Sequence, residues 1–464
     1  MIFNSVEFLV FLVVVLSLYY ILNHRWQNIL LLVASYFFYG WWDWRFLSLL
    51  GISTVVDYAC GWGVYLSENR HRKKLFVLLS VCCNLGILGF FKYFNFFAAS
   101  TTRLFSALGM DASPTTLNIV LPVGISFYTF QTMCYTIEIY RKELKPSRDF
   151  ISYALYVSFF PQLVAGPIER AKNLLPRLSR RRVVTFADLS IGFRLIISGF
   201  VKKVAIADVV ARSVNLAFDD PAAHSGVTLI VAVYLFAIQI YCDFSGYSDI
   251  ARGTARLLGV DIMQNFRFPY LSTSLRDFWR RWHISLSSWF RDYLYIPLGG
   301  SHGGLAKTMR NLMITMTLCG LWHGAAWNFV WWGSLHAGFL CCERVYATIK
   351  PQRNKEREGR LAAFLGWFIT FHFVGLGWIL FRSTSLGHAF TYLNSMCQGG
   401  LSVDKGSLYS LLWALALLLW IEIPYVPAIK KRVSRFTPMI HAVGLLVIII
   451  TWTSDYVPFI YFQF

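Results

Sequence analysis

Apolar windows long enough to span a bilayer core, ~17–25 residues, recur at 6–22, 46–66, 75–97, 119–139, 150–165, 227–242, 311–345, 361–381, 407–428 and 437–460. More polar stretches at 28–42, 190–217, 245–262 and 284–298 fit tilted, half-spanning or interfacial helices. The pattern therefore predicts an all-α polytopic membrane protein with about eleven spans plus re-entrant pieces. No internal repeat or long linker breaks it, and only 346–360 reads as a solvated segment, so one integral-membrane domain is expected over 1–464. Met1 to Leu22 has neither a basic leading region nor a small-residue cleavage site and is read as the first span, not as a removed signal.

Composition agrees with that reading. Of 464 residues, 56% are hydrophobic and 14% charged, where a soluble domain carries ~25% charged residues. A net charge of +19 would raise nucleic-acid binding in a soluble protein. Here the basic residues sit in short runs between apolar stretches, as in loops held on the cytoplasmic side of a membrane, so the expected partner is the lipid bilayer and not nucleic acid. The runs at 68–74, 141–148, 170–182, 344–360 and 430–435 are rich in Lys and Arg, whereas 98–118 and 383–406 hold one basic residue each. Placing the basic loops in the cytoplasm puts both termini outside. That arrangement needs an even number of crossings, so one of about eleven helices is expected to be re-entrant. The nine Cys include no C-x-x-C spacing, and neither a metal site nor a disulfide framework is expected.

Familiar catalytic signatures are missing: there is no Walker A loop, no G-x-G-x-x-G and no H-E-x-x-H. The G-x-S-x-G match at Gly299–Gly303 lies in a Gly-rich stretch with no strand before it and is read as a turn. Attention falls instead on a polar block from Tyr241 to His336, because an ionisable residue at membrane depth is costly and marks function by default. Within it, Leu275 to Arg291 has the pattern of an amphipathic helix. Leu275, Phe278, Trp279, Trp282, Leu286, Trp289 and Phe290 share one arc, and Arg276, Arg280, His283, Ser287 and Arg291 fall on the other side. That basic stripe suits lipid headgroups, or the phosphates of a nucleotide-linked donor.

On a continuous helix through Leu318 to Leu340, His323 shares a mixed face with Trp327, Val330, Ser334 and Gly338, and His336 lies on a bulky face with Phe329, Trp332 and Leu340. His323 then reads as a functional residue or as an interhelical hydrogen-bond partner, and His336 as a core histidine donating a hydrogen bond. Asp243 and Asp249, six residues apart around Gly246, fit a chemical role or a structural one in which each satisfies a buried partner.

Four segments in this order carry a resemblance over nearly the whole chain: Phe160 to Ile168 (FPQLVAGPI), Asp243 to Asp249 (DFSGYSD), Phe278 to Ser287 (FWRRWHISLS) and Gly320 to Gly324 (GLWHG). The chain resembles the membrane-bound O-acyltransferase family, in particular its AlgI/DltB-like bacterial branch. The resemblance implies a ring of tilted helices around a central tunnel in a bacterial inner membrane. It also implies an acyl thioester donor, acetyl-CoA, on the cytoplasmic side, no permanently bound cofactor, and an extracytoplasmic partner protein that completes transfer to an envelope polysaccharide or peptidoglycan. His323 takes the position of the family's essential histidine and His283 that of the second, cytoplasm-facing one. Arg276, Arg280, Trp282, Trp322, Trp327, Asn328 and Ser334 are the candidate substrate contacts, with Asp243, Asp249 and His336 as polar support. The competing reading is a transporter or flippase for a polymer precursor, since intramembrane Asp and His also relay protons. The absence of a visible inverted repeat weighs against it.

Overall fold

The computed structural model describes residues 1–110, 113, 116–349, 359–426, 430–452 and 459–460. Every regular element among them is helical. Among the described residues five helices are long and apolar enough to cross a membrane: Trp44–Leu66, Arg70–Ala107, Gly226–Leu257, Arg360–Arg382 and Lys405–Tyr425. Shorter apolar helices run over Val6–Ile21, Phe150–Leu163 and Thr437–Thr451. Helix Val6–Ile21 shows the solvent these helices are built for. It buries Phe8, Phe11, Leu12, Val15 and Tyr19 on one face, while Val10, Val13 and Val14 stand exposed on the other. A helix that is apolar on both faces suits hydrocarbon and not water.

The described residues form two compact units. The first comprises Met1–Ile196 and Ile250–Met263. Its helices start where the sequence supplies caps. Ser5, Asn23 and Asn69 each accept a hydrogen bond from a backbone N–H of the first turn, and Asp149 accepts two, which satisfies donors that a helix start leaves open. Its core holds a polar stitch. Asp57 accepts from the Ser80 hydroxyl and from Asn84 Nδ2 at 2.7 Å, and Asn84 Oδ1 accepts from Thr132 Oγ1 at 3.0 Å. Helices Leu47–Leu66, Arg70–Leu88 and Ile125–Tyr140 are thereby tied through buried polar atoms that apolar surroundings would otherwise penalise. Outside the spans, Glu169 is buried and accepts from the Met263 backbone N–H. Burial pushes its carboxyl up to about 7.

The second unit comprises Ile197–Asp249 and Gln264–Phe464. Two expectations change here. The windows at 227–242 and 245–262 merge, because Gly226–Leu257 is one 32-residue helix. The window at 311–345 is not one span but a hairpin of Leu305–His323 and Trp327–Ile349, with Gly324 extended between them. The window was long enough to be read as a single span, and the turn is marked only by Gly324-Ala325-Ala326. Glycine brings the two arms together. A Cβ on Gly320 would collide with the Phe329 carbonyl oxygen, and one on Gly333 with that of Met316. Gly299, Gly300, Gly303 and Gly304 all have positive φ, in keeping with the turn expected there. The basic stretch 346–360 and the last window, 437–460, lie partly outside the described residues.

Two tests follow from these contacts. Gly333→Ala should separate the hairpin arms and lower the detergent melting temperature by several degrees, consistent with an overpacking cost of ~1–3 kcal/mol; unchanged melting would mean that the arms need no close approach. For Glu169, a folded-state pKa raised above the unfolded 4.5 means the folded protein holds the extra proton. Its contribution is therefore fully present below pH ~4.5 and lost as pH rises through ~7. Glu169→Gln should gain melting temperature over the parent progressively across that window, and a pH-independent difference would contradict the assignment.

Candidate active site

The stripe expected on one continuous helix from Leu275 to Arg291 is cut in two. Leu275–Arg281 is one short helix and Ile284–Phe290 another; between them Trp282 is extended and His283 has φ +42°. The periodic pattern did not show this because no Pro or Gly marks the break. What holds it is Asn265. Its backbone oxygen accepts from the Ile284 N–H at 2.9 Å, its side-chain oxygen accepts from the Ser285 N–H at 3.3 Å, and its amide donates to Ser248 at 3.1 Å. As a result, Arg276, Arg280 and Arg291 are exposed, while His283 is fully buried. The histidine and the arginines do not share a face.

The second break, after His323, leaves that residue as the last of helix Leu305–His323. The continuous face expected for it with Trp327, Val330, Ser334 and Gly338 therefore does not form. His323 is 3% exposed and sits in an aromatic box, with ring centroids 5.0 Å from Trp322, 5.2 Å from Trp332 and 5.4 Å from Phe381. The two breaks bring the candidate catalytic pair together. The His283 and His323 rings lie 6.5 Å apart at 59°, and His283 also packs on Phe244 at 4.6 Å and Trp322 at 6.0 Å.

The other candidates divide. Trp322 is buried against both histidines. Trp282 is fully buried 5.0–5.1 Å from Phe266 and Trp378, in a packing position. Trp327 is 48% exposed. The Asn328 amide donates to the Leu380 and Ser383 carbonyls at 3.3 and 2.8 Å, closing the end of helix Arg360–Arg382. The Ser334 hydroxyl bonds Thr317 at 3.0 Å and the Val330 carbonyl at 2.9 Å. His336 is fully buried, but neither ring nitrogen has a hydrogen-bond partner among the described residues, so the donated bond expected of it is not formed there.

Asp243 and Asp249 meet cations that the motif did not point to. Lys202 lies 3.0 Å from both Asp249 and Glu422, and Lys203 lies 2.8 Å from both Asp208 and Asp243. Tyr241 donates to Glu422 at 2.5 Å, and the Ile460 N–H donates to Asp243 at 2.6 Å. The available signal was Lys202-Lys203 between apolar neighbours in Phe200 to Ala205. Two adjacent helical side chains ordinarily diverge by ~100°. Here both lie in the π-helical turn Val201–Ala207, and each amine reaches its own pair of carboxylates. Gly246 makes the approach possible, since a Cβ there would lie 2.7 Å from the Gly199 carbonyl oxygen and 3.1 Å from Lys202 Cβ.

Two neighbouring buried histidines, with regular structure that is all helical among the described residues and includes spanning helices, define a multi-pass membrane protein with a candidate catalytic centre inside it. Residues 140–382 match the membrane-bound O-acyltransferase family. The chain is 41% identical to the probable alginate O-acetylase AlgI of Pseudomonas aeruginosa over 86% of this chain and 75% of that protein. It is 33% identical to the peptidoglycan O-acetyltransferase of Helicobacter pylori, over 81% and 75%, and 27% identical to the teichoic acid D-alanyltransferase of Bacillus subtilis, over 58% and 71%. The chain belongs to the membrane-bound O-acyltransferase family and is an O-acyltransferase.

Removing one partner from a buried ion pair strands the other charge, typically at ~3–5 kcal/mol. Lys202→Met should accordingly destabilise the protein in detergent, and adding Asp249→Asn and Glu422→Gln should recover much of the loss. If the triple variant is no more stable than the single one, these carboxylates are not there to hold Lys202.

Proposed function

We propose that this acyltransferase moves an acetyl group from a cytoplasmic thioester, acetyl-CoA, towards a hydroxyl of an extracytoplasmic polysaccharide or peptidoglycan, with a separate outer-face protein completing the transfer. The observation that carries the reading is the buried His323 at the end of helix Leu305–His323, ring to ring with His283. The names of the alginate and peptidoglycan relatives support acetyl as the group and an envelope polymer as its destination.

In this mechanism the His323 imidazole accepts the proton of the acceptor hydroxyl, a task suited to a side chain whose ordinary pKa is ~6.5. The hydroxyl oxygen bonds to the thioester carbonyl carbon, the C–S bond breaks, and the leaving thiolate takes the proton from His323. His283, one ring's reach away, holds the sulfur side of the reacting group. The exposed Arg276 and Arg280 provide fork-shaped donors for donor phosphates at the entrance. The basic loops 68–74, 141–148 and 170–182 support a cytoplasmic donor side in a bacterial inner membrane, with both chain termini outside. The low-charge outer segments 98–118 and 383–406 are short for polymer binding, which is why an outer partner is part of the reading.

His323→Ala should reach normal membrane levels and bind donor, yet lose acetyl transfer by ~100-fold or more, the contribution expected of a positioned base. Mass spectrometry of the envelope polymer in cells carrying the variant reads this directly. Full acetylation there would remove His323 from the chemistry.

A further inference from the structure

Next to His323 lies a second group of inward-facing polar atoms that the steps above leave unused. Trp279 is 9% exposed, and Trp332 and His336 are fully buried. Among the described residues, the indole nitrogens of Trp279 and Trp332 and both ring nitrogens of His336 make no hydrogen bond. The three rings pack as a cluster, with centroids 4.8 Å apart for Trp332 and His336, 5.4 Å for Trp279 and His336, and 5.8 Å for Trp279 and Trp332. Gly377 of helix Arg360–Arg382 completes it: a Cβ built there would lie 2.9 Å from His336 Nε2 and 3.4 Å from Trp332 Nε1. Both polar edges thus converge on one stretch of bare backbone. The cluster also adjoins the candidate base, for the Trp332 ring meets His323 edge-on at 5.2 Å and 88°.

Packing alone does not explain such a choice of residues. Phe and Leu would fill the same space without the desolvation cost that each unpaired buried N–H carries. Elsewhere in this unit buried polar groups do find each other, as in the lysine–carboxylate network and in the Ser198, Tyr425 and His441 contacts at 3.0–3.4 Å. The unused inventory is rich in donors: an indole N–H only donates, and a neutral imidazole offers one donor and one acceptor. Two or more converging donors in a water-poor aromatic setting match an uncharged oxygen that gains negative charge during reaction, which is what a thioester carbonyl oxygen does.

We infer that Trp332 Nε1–H, joined by His336, binds the carbonyl oxygen of the acyl group and stabilises the charge that develops on it as the acceptor hydroxyl attacks. This rests on the thioester reading above. The hydrogen bonds tighten as the C–O bond forms, and relax when the C–S bond breaks and the carbonyl returns. Gly377 presents only backbone to the two polar edges, and Trp279 packs against His336 and Trp332.

The test uses two thioether analogues of the same length, S-acetonyl-CoA, which keeps a ketone, and S-propyl-CoA, which has a methylene in its place. They are titrated against the full-length protein in detergent or nanodiscs. The unmodified protein should bind the acetonyl compound ~10-fold more tightly, the size of one or two buried hydrogen bonds. Trp332→Phe should cut that ratio to about twofold or less while leaving S-propyl-CoA affinity unchanged, and should lower kcat ~100-fold or more. Gly377→Ala, which keeps every aromatic ring, carries the same expectation should Trp332→Phe fold poorly. His336→Gln should retain more of the ratio than His336→Leu. A ratio near one in the unmodified protein overturns the inference and leaves the acyltransferase reading standing, as does a full ratio in both Trp332→Phe and Gly377→Ala. Failure of the unmodified protein to bind either analogue overturns the CoA-donor reading, and the inference with it.

Discussion

In hydrocarbon, a charged or hydrogen-bonding side chain must find its partner within the protein. The second unit is organised around one response to that constraint, the pairing of Lys202 with Asp249 and Glu422 and of Lys203 with Asp208 and Asp243. Both lysines lie in the π-helical turn Val201–Ala207, and Gly246 against the Gly199 carbonyl brings helix Gly226–Leu257 close enough for its carboxylates to reach them. Once Asp243 and Asp249 are fixed, Phe244 between them is fixed too, and Phe244 is the ring on which His283 rests. A charge network that takes no part in the proposed chemistry thus sets the register of a residue that does.

Much of the candidate site was legible because ionisable and aromatic residues stand out in so apolar a chain. Trp282-His283 and Trp322-His323, Asp243 and Asp249, and the Gly-rich turn at 299–304 could all be picked out by type and spacing. The helical identity of the chain was legible for the same reason, since long apolar windows have few alternatives to a helix. What periodicity could not convey was where helices stop. His283 sits at a break with no Pro or Gly beside it, and the cause is Asn265, eighteen residues upstream, whose bonds to Ile284 and Ser285 are made only in three dimensions. Gly324 did signal a break, but inside a window long enough to be taken for a single span. Both breaks have the same consequence: a face inferred from periodicity holds only as far as the helix continues.

Those two breaks are also what makes the site possible. Side chains on one continuous helix are confined to fixed angular offsets, and two histidines on separate straight helices face each other only where the helices happen to cross. At a helix end the side chain is freed from that geometry. His283 and His323 each occupy a terminus, His283 at the start of Ile284–Phe290 and His323 at the finish of Leu305–His323, and their rings come within 6.5 Å. The hairpin glycines Gly320 and Gly333 extend the arrangement, because their close approach carries Trp332 and His336 to the same place.

The ends they occupy differ, and the difference separates their parts in the proposed reaction. The carbonyl end of a helix carries partial negative charge and the amide end partial positive charge. His323 ends a 19-residue helix, so the positive charge that the proposed proton transfer would place on it would form beside carbonyl oxygens. His283 precedes the amide end of a seven-residue helix, where partial positive charge disfavours a cation. A neutral ring next to a transiently charged one can exchange hydrogen bonds with the sulfur or the acceptor without competing for the proton. Of the two histidines, His323 is therefore the one whose position suits a base, and His283 the one whose position suits a neutral polar contact. That assignment follows from which end of which helix each residue holds, a property that only the chain breaks could create.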